Sequence, residues 1–232
     1  MPACVPPGVW VYAIGDIHGC ARLLGHVHGL IRDDAEAAPE ARRVVVYLGD
    51  YIDRGPDSRD VVDLVMAGPG DDFELVHLKG NHEDLLLRFL AGDENATIWR
   101  YNGAGATFRS YGIEDDGDAP NRDAFADRLP SAHRAFFDGL RMFYIEGDYL
   151  FVHAGLRPGL PLDRQTDEDM MWIRQPFLDS TEDWGYTVVH GHSTVSSPEV
   201  RGNRIGLDTG AVWSGCLTAM VFTDTARDVL KT

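Results

Sequence analysis

Six side chains able to hold divalent metal ions are spread along this chain, each in a turn-like setting: Asp16, His18, Asp50, Asn81, His153 and His192. Asp16 and His18 stand two residues apart in Gly15-Asp16-Ile17-His18-Gly19, so in extended backbone both side chains point the same way. Carboxylate, imidazole and amide oxygen form a borderline-hard donor set suited to manganese, iron, zinc or similar ions, and no thiolate joins it to demand a softer metal. Six donors exceed what one catalytic ion with an open position uses, and they fit two ions sharing a carboxylate. Asp50 is the candidate bridge, because it lies between the two groups of donors in chain order. Its own segment, Gly49-Asp50-Tyr51-Ile52-Asp53-Arg54-Gly55, adds a second carboxylate and a guanidinium whose fork matches phosphate. The scattered His26, His28, His77 and His133 read as structural or surface residues.

Strands and helices must bring these residues together. Trp10–Ile14, Val44–Leu48 and Phe73–Leu78 are short apolar runs rich in β-branched and aromatic residues, which predicts buried strands. Each runs into one of the polar segments and then into a helical pattern: Leu23–Ile31, Asp57–Ala67 with Asp57 or Ser58 as its cap, and Leu85–Leu90. Three strand, loop and helix units in succession predict parallel pairing, with all three polar loops at one edge of the sheet. Open α/β sheets bind their ligands at that edge. Residues 91–140 break the pattern and predict a mostly helical insertion beside the site, with an exposed acidic loop at Glu114–Asp118. That loop lacks the glycine and terminal glutamate of an EF-hand. Arg141–Ile145 and Tyr149–Val152 flank a hairpin signal, Tyr186–Val189 is a further strand, and Arg204–Leu207 with Leu217–Phe222 is expected to complete a second sheet.

Composition narrows the function. The chain has 232 residues and a formal net charge of -16, which argues against a general binder of nucleic acid or of a membrane surface. Its apolar runs are strand-sized, and no transmembrane helix is expected. Residues 1–8 lack the basic start and apolar stretch of a secretory signal. Three scattered cysteines, Cys4, Cys20 and Cys216, fit a reducing cytoplasm better than a disulfide framework.

In their order and spacing, Gly15-Asp16-Ile17-His18-Gly19, Gly49–Gly55, Gly80-Asn81-His82-Glu83, His153-Ala154-Gly155 and Gly191-His192 look like the signature of the PPP family of metallophosphatases. Arg157-Pro158-Gly159, Met171-Trp172-Ile173-Arg174 and Asp208-Thr209-Gly210-Ala211 resemble the bacterial serine/threonine protein phosphatase branch. The resemblance implies a calcineurin-like α/β sandwich: two mixed β-sheets flanked by helices, a single domain over residues 1–232, and a helical lid insertion near 91–140. It implies that Asp16, His18 and Asp50 hold one ion, and that Asp50, Asn81, His153 and His192 hold a second. Manganese is the expected metal, with iron, zinc, nickel and cobalt as alternatives.

It further implies that His82 protonates the leaving group, oriented by Asp53, while a hydroxide between the ions attacks phosphorus in line. Arg54, Asn81, Arg157 and Arg174 are the candidate substrate contacts. The expected substrate is a phosphoserine or phosphothreonine protein. A small phosphoester such as diadenosine tetraphosphate is the alternative on the same fold, since the shared site chemistry does not choose between them. A polynucleotide end is disfavoured by the acidic exterior. A binding module without catalysis would need a missing ligand or acid, and none is missing.

Overall fold

The computed structural model describes residues 3–93, 97–114 and 122–232. Its first half is the expected alternation: β1 (Val9–Ile14), α1 (Ala21–Ala35), β2 (Arg42–Tyr47), α2 (Ser58–Ala67), β3 (Phe73–His77) and α3 (Asn81–Leu90). The strands pair in parallel, with Ala13 opposite Val46 and Val46 opposite Val76, so the three following loops leave one edge together. Alternate residues of these strands serve two cores. Val11, Ala13, Val44 and Val46 face a second sheet, while Tyr12, Ile14, Val45 and Tyr47 pack beneath the helices. Both faces are apolar because both are covered.

The second sheet contains β4 (Phe143–Glu146), β5 (Tyr149–Val152), β6 (Thr187–His190), β7 (Glu199–Val200) and β8 (Arg204–Gly206), in the order β4-β5-β6-β8-β7. Tyr149, Phe151, Val189 and Ile205 turn inward to meet the first sheet. Leu150, Val152 and Val188 turn outward, against Met170 of α8 (Asp167–Trp172) and against Ile173 and Phe177. Two mixed sheets with helices outside agree with the expected sandwich.

One strand lies elsewhere than expected. β9 (Thr218–Thr223) pairs antiparallel with β1, and β10 (Ala226–Lys231) pairs with β9, so the first sheet runs β10-β9-β1-β2-β3. Only Arg204–Gly206 of the two late runs belongs to the second sheet. Met220 and Phe222 enter the intersheet core while Ala219 and Val221 enter the helical one, as befits a strand buried on both faces. The partner of such a strand, here some 200 residues upstream in the register, is invisible to local pattern.

Between α3 and β4 the described residues form α4 (Thr97–Tyr101), α5 (Ala104–Ser110), α6 (Arg122–Arg128) and α7 (Ser131–Asp138). Trp99, Phe108 and Phe125 join Phe89 of α3 in an aromatic cluster with centroids 4.9 to 6.1 Å apart. Most of the acidic loop read at Glu114–Asp118 lies outside the described residues. Among the described residues no helix is long and apolar enough to cross a membrane.

Candidate active site

The backbone marks the site before any side chain does. Six described residues other than glycine have positive φ, and five of them are Asp50, Asp53, Arg54, His18 and His192, at 53°, 73°, 68°, 45° and 59°. Each such residue costs roughly 1–3 kcal/mol and persists only where its surroundings fix it. Here the loops fix one another. Asp50 O accepts from Ile17 N at 3.1 Å and His18 N at 2.9 Å, and Gly19 N donates to Tyr51 O at 2.8 Å. The buried Glu83 carboxylate accepts from Asp50 N and Tyr51 N at 2.9 Å each and from Gly80 N at 3.0 Å, tying the Asp50 loop to the start of α3. Glycine is required at 80 and 191, where a Cβ would run into the Asp50 and Asp16 carboxylates respectively.

Asp50 is the centre of the donor set. His18 Nε2 lies 3.5 Å from Asp50 Oδ2, and His153 Nε2 lies 3.4 Å from Asp50 Oδ1. Two groups, His18–Asp50–His82 and Asp50–His153–His192, could each hold a metal ion, with ligand atoms all within 4.8 Å inside each group. Asp50 is common to both, whereas Asp16, expected beside His18 and Asp50, is in neither group and His82 stands in its place.

The donor chemistry fits a cation. His18 and His153 donate through Nδ1 to the carbonyls of Ile52 and Leu48, at 2.9 and 2.8 Å, which turns the lone pair of each Nε2 into the site. Burial lowers the pKa of both, that of His18 to about 3, and so keeps them neutral. His153 Nε2 then faces Asn81 Oδ1 at 3.1 Å as well as Asp50, acceptor against acceptor with no proton between them. His192 Nε2 is buried without a hydrogen-bond partner, and burial lowers its pKa to about 2. Asp16 receives His192 N on both oxygens, at 3.1 and 3.0 Å, and burial, Asp208 and Asp50 push its carboxyl well above the usual range. A divalent ion held by Asp50, His153 and His192 would take up the lone pairs that are left facing one another or without a partner there.

A second cluster adjoins the first. His82 Nδ1 donates to Asp53 Oδ2 at 2.6 Å, and Arg54 donates to His82 Nε2 at 2.9 Å and to His18 Nε2. Burial pulls the His82 pKa down, but Asp50 and Asp53 outweigh it and the net shift is upward. Asp53 is itself held from α4 and α5, by Trp99 Nε1 at 2.7 Å and Thr107 Oγ1 at 2.5 Å. Ser58, expected as a helix cap, makes no capping bond. Its hydroxyl instead accepts from Asp53 N at 3.1 Å, and the Asp57 side chain does not cap either.

The calcineurin-like phosphoesterase family profile matches residues 9–213. This chain belongs to the calcineurin-like phosphoesterase family. A symmetrical bis(5'-nucleosyl)-tetraphosphatase of Nitrosospira multiformis is 25% identical over 96% of the chain and 95% of its own length. An asymmetrical bis(5'-nucleosyl)-tetraphosphatase PrpE of Geobacillus thermodenitrificans is 27% identical over 89% of the chain and 88% of its own. A solved candidate diadenosine tetraphosphatase superposes with TM-score 0.64 at 21% identity, covering 100% of this chain and 98% of that one. A serine/threonine phosphatase of Saccharomyces cerevisiae superposes at 0.61 and 16% identity, over 99% and 83%, so both share the fold.

In this phosphoesterase the donor set, through Asp50, Asn81 and His192, and the second cluster, through Arg54, reach the wall of a pocket of about 180 Å³. Asp50, Arg54, Asn81 and His192 line it, as does Arg174, whose Nη1 donates to Ser193 Oγ at 3.3 Å. The structure does not bring Arg157 into this pocket. Its guanidinium is taken by Asp169, at 2.8 and 2.5 Å, along a neighbouring depression that also meets Trp172 and Arg174. His190 lies behind the site, bonded through Nδ1 to Gly191 O at 3.0 Å. His28 and His77 bond to Tyr47 Oη and Val65 O, and His133 bonds to Tyr111 Oη and Asp63, away from the donor set.

Sequence reading assigned no role to Glu83, Trp99, Thr107 or Trp213. Glu83 carries a readable signal, since it stands three residues after Gly80 as in a capping box, with glycine replacing the usual hydroxyl residue. Trp99 and Thr107 carry none, because they meet Asp53 only through the tertiary fold.

Proposed function

We propose that this protein is a dinucleoside polyphosphate hydrolase that cleaves diadenosine tetraphosphate or a close analogue. The observation that carries the reading is the run of curated relatives named bis(5'-nucleosyl)-tetraphosphatase, at 24 to 27% identity over about nine-tenths of the chain. It puts the dinucleotide ahead of the phosphoprotein that the motifs favoured, because the motifs describe the shared floor of the site and not the substrate.

Asp16, His18 and Asp50 would hold one divalent ion and Asp50, Asn81, His153 and His192 the other, with manganese as the expected metal. Bound there, the two ions would supply nucleophilic water near neutral pH and neutralise phosphoryl charge. Arg54 takes a phosphoryl oxygen when the substrate enters, exchanging its bonds to imidazole for charge-assisted ones to phosphate. That exchange frees His82 Nε2 to carry the proton it delivers to the departing phosphate oxygen, while Asp53 fixes the ring. Asn81 serves both as ligand and as a substrate contact, and Arg174 neutralises phosphate farther along the chain. The insertion near 91–140 acts as the lid of one domain, in a cytoplasmic enzyme whose partners are small phosphoesters.

Steady-state turnover of metal-stripped protein, restored with manganese, tests the reading on diadenosine tetraphosphate beside a panel of phosphoserine and phosphothreonine peptides. Expected is a kcat/KM at least about tenfold higher on the dinucleotide, a difference of about 1.4 kcal/mol in transition-state binding. A preference for peptides would restore the phosphoprotein and reject the dinucleotide.

A further inference from the structure

The motif Asp208-Thr209-Gly210-Ala211 has no part in the chemistry assigned above, yet it ends at the pocket mouth. It leads into the short helix α9 (Ala211–Ser214), whose Trp213 lines the cavity with Asp50 and Arg54 while 67% of the residue stays exposed. The Arg54 guanidinium lies over the Trp213 ring, 5.0 Å from its centroid, and the same guanidinium reaches His82. The turn is held in place. Asp208 accepts from Gly210 N at 2.8 Å and from Thr194 Oγ1 at 2.7 Å, joining it to the loop that follows His192. Trp213 N closes it on Gly210 O at 2.9 Å. A single exposed aromatic is ordinary, and Tyr101 at 93% is one, but Tyr101 does not line this pocket.

Resting on the dinucleotide reading, we propose that Trp213 is the stacking platform for a nucleobase of the substrate, placed so that the attached phosphates cross Arg54 toward His82. A rigid indole with a guanidinium over its ring and two-thirds of the residue exposed (67%) is a surface on which a flat heteroaromatic ring stacks. Charge gives such a platform a purpose. The chain's net charge of -16 opposes a polyphosphate, and Arg54 and Arg174 are the cationic side chains that line the pocket. Stacking adds affinity that this field does not oppose, and it distinguishes a nucleotide from a bare phosphate chain.

The test is calorimetric titration of the manganese-loaded protein with ADP and with inorganic pyrophosphate, whose ratio of dissociation constants isolates what the nucleoside adds. ADP is expected to bind at least about tenfold tighter than pyrophosphate. Trp213→Ala brings the ratio close to one, Trp213→Phe keeps most of it, and Tyr101→Ala leaves it as in the wild type. Any effect of Trp213→Ala that passes through Arg54 weakens both ligands alike and cancels. A wild-type ratio near one, or a ratio that survives Trp213→Ala, overturns the proposal. Failure of the dinucleotide reading has a different mark: cleavage of phosphopeptides without cleavage of diadenosine tetraphosphate, which leaves the ratio free to report on Trp213.

Discussion

Asp50 at the pocket floor and Asp53 and His82 beneath it are 2%, 0% and 0% exposed, and they are bonded to one another and to buried Trp99 and Thr107 of α4 and α5. Asn102 and Trp172 at the rim are half-buried, and Arg174 and Trp213 are exposed. The floor stores backbone strain at Asp50, Asp53 and His192, whereas the rim residues have ordinary φ values. This contrast separates two tasks. A reaction at phosphorus needs groups fixed within a fraction of an ångström, so the floor tolerates strain that packing must hold. Substrate choice needs only a few well-aimed exposed surfaces, which can change while the floor stays the same.

The largest effect should come from the residue common to both metal-binding groups. Asp50→Asn is expected to lower turnover by at least about 100-fold and to weaken manganese binding by calorimetry. His82→Ala and Arg54→Ala should also cost at least about 100-fold in kcat, with manganese binding largely kept. The contrast separates ligand from acid. Among the described residues, His82 stands with His18 and Asp50 in one of the groups able to hold a metal ion. If its loss weakened the metal as much as that of Asp50, it would be a ligand and the proton would need another source.

Asp53→Asn tests how the floor sets a proton rather than a metal. Asp53 is one of the groups that hold the His82 pKa up against burial. An acid must be protonated to act, so activity falls as pH rises through its pKa, and lowering that pKa moves the fall to lower pH. The alkaline limb of the kcat profile should therefore shift downward in Asp53→Asn, at unchanged manganese occupancy. A limb that stays in place would detach His82 from the proton transfer.

Trp99→Phe should act more weakly. It leaves Asp53 Oδ2 without its indole donor in a fully buried place, at a cost of about 1–3 kcal/mol in unfolding stability. Turnover should drop less than in Asp53→Asn, because Thr107 and His82 still hold the carboxylate. Chemical denaturation and kcat on one preparation would show whether α4 supports the floor through Trp99.

These contacts also mark where sequence reading stops. The first three strands could be read because each is a compact apolar run followed at once by its own polar loop, and Asp16, His18 and Asp50 sit in those loops. Asn81 and His82 were expected just beyond a strand and in fact open α3, a boundary shift that leaves their positions at the same edge. Contacts between distant segments were not legible. Trp99 and Thr107 reach Asp53 across 46 and 54 residues, and β9 pairs with β1 across the whole chain. β10 pairs at the sheet edge with mostly exposed residues, so it offers no apolar alternation to find. Local spacing allows Asp57 or Ser58 to cap α2, but the Asp53 amide takes the Ser58 hydroxyl and Asp57 makes no capping bond.

The smallest expected effect probes how far the rim extends. Arg157 was a candidate substrate contact, and the structure pairs it with Asp169 in a half-exposed bridge that borders the same depression as Trp172 and Arg174. Such bridges contribute about 0–1 kcal/mol, so Arg157→Ala should scarcely change stability. If substrate stays within the pocket, KM and kcat on diadenosine tetraphosphate should change by less than about threefold, as for surface substitutions away from a site. A KM raised about tenfold at constant kcat would mean uniform binding of a remote part of the substrate. The depression beside Arg174 would then hold the second nucleoside, and the rim would run from Trp213 across the pocket to Arg157.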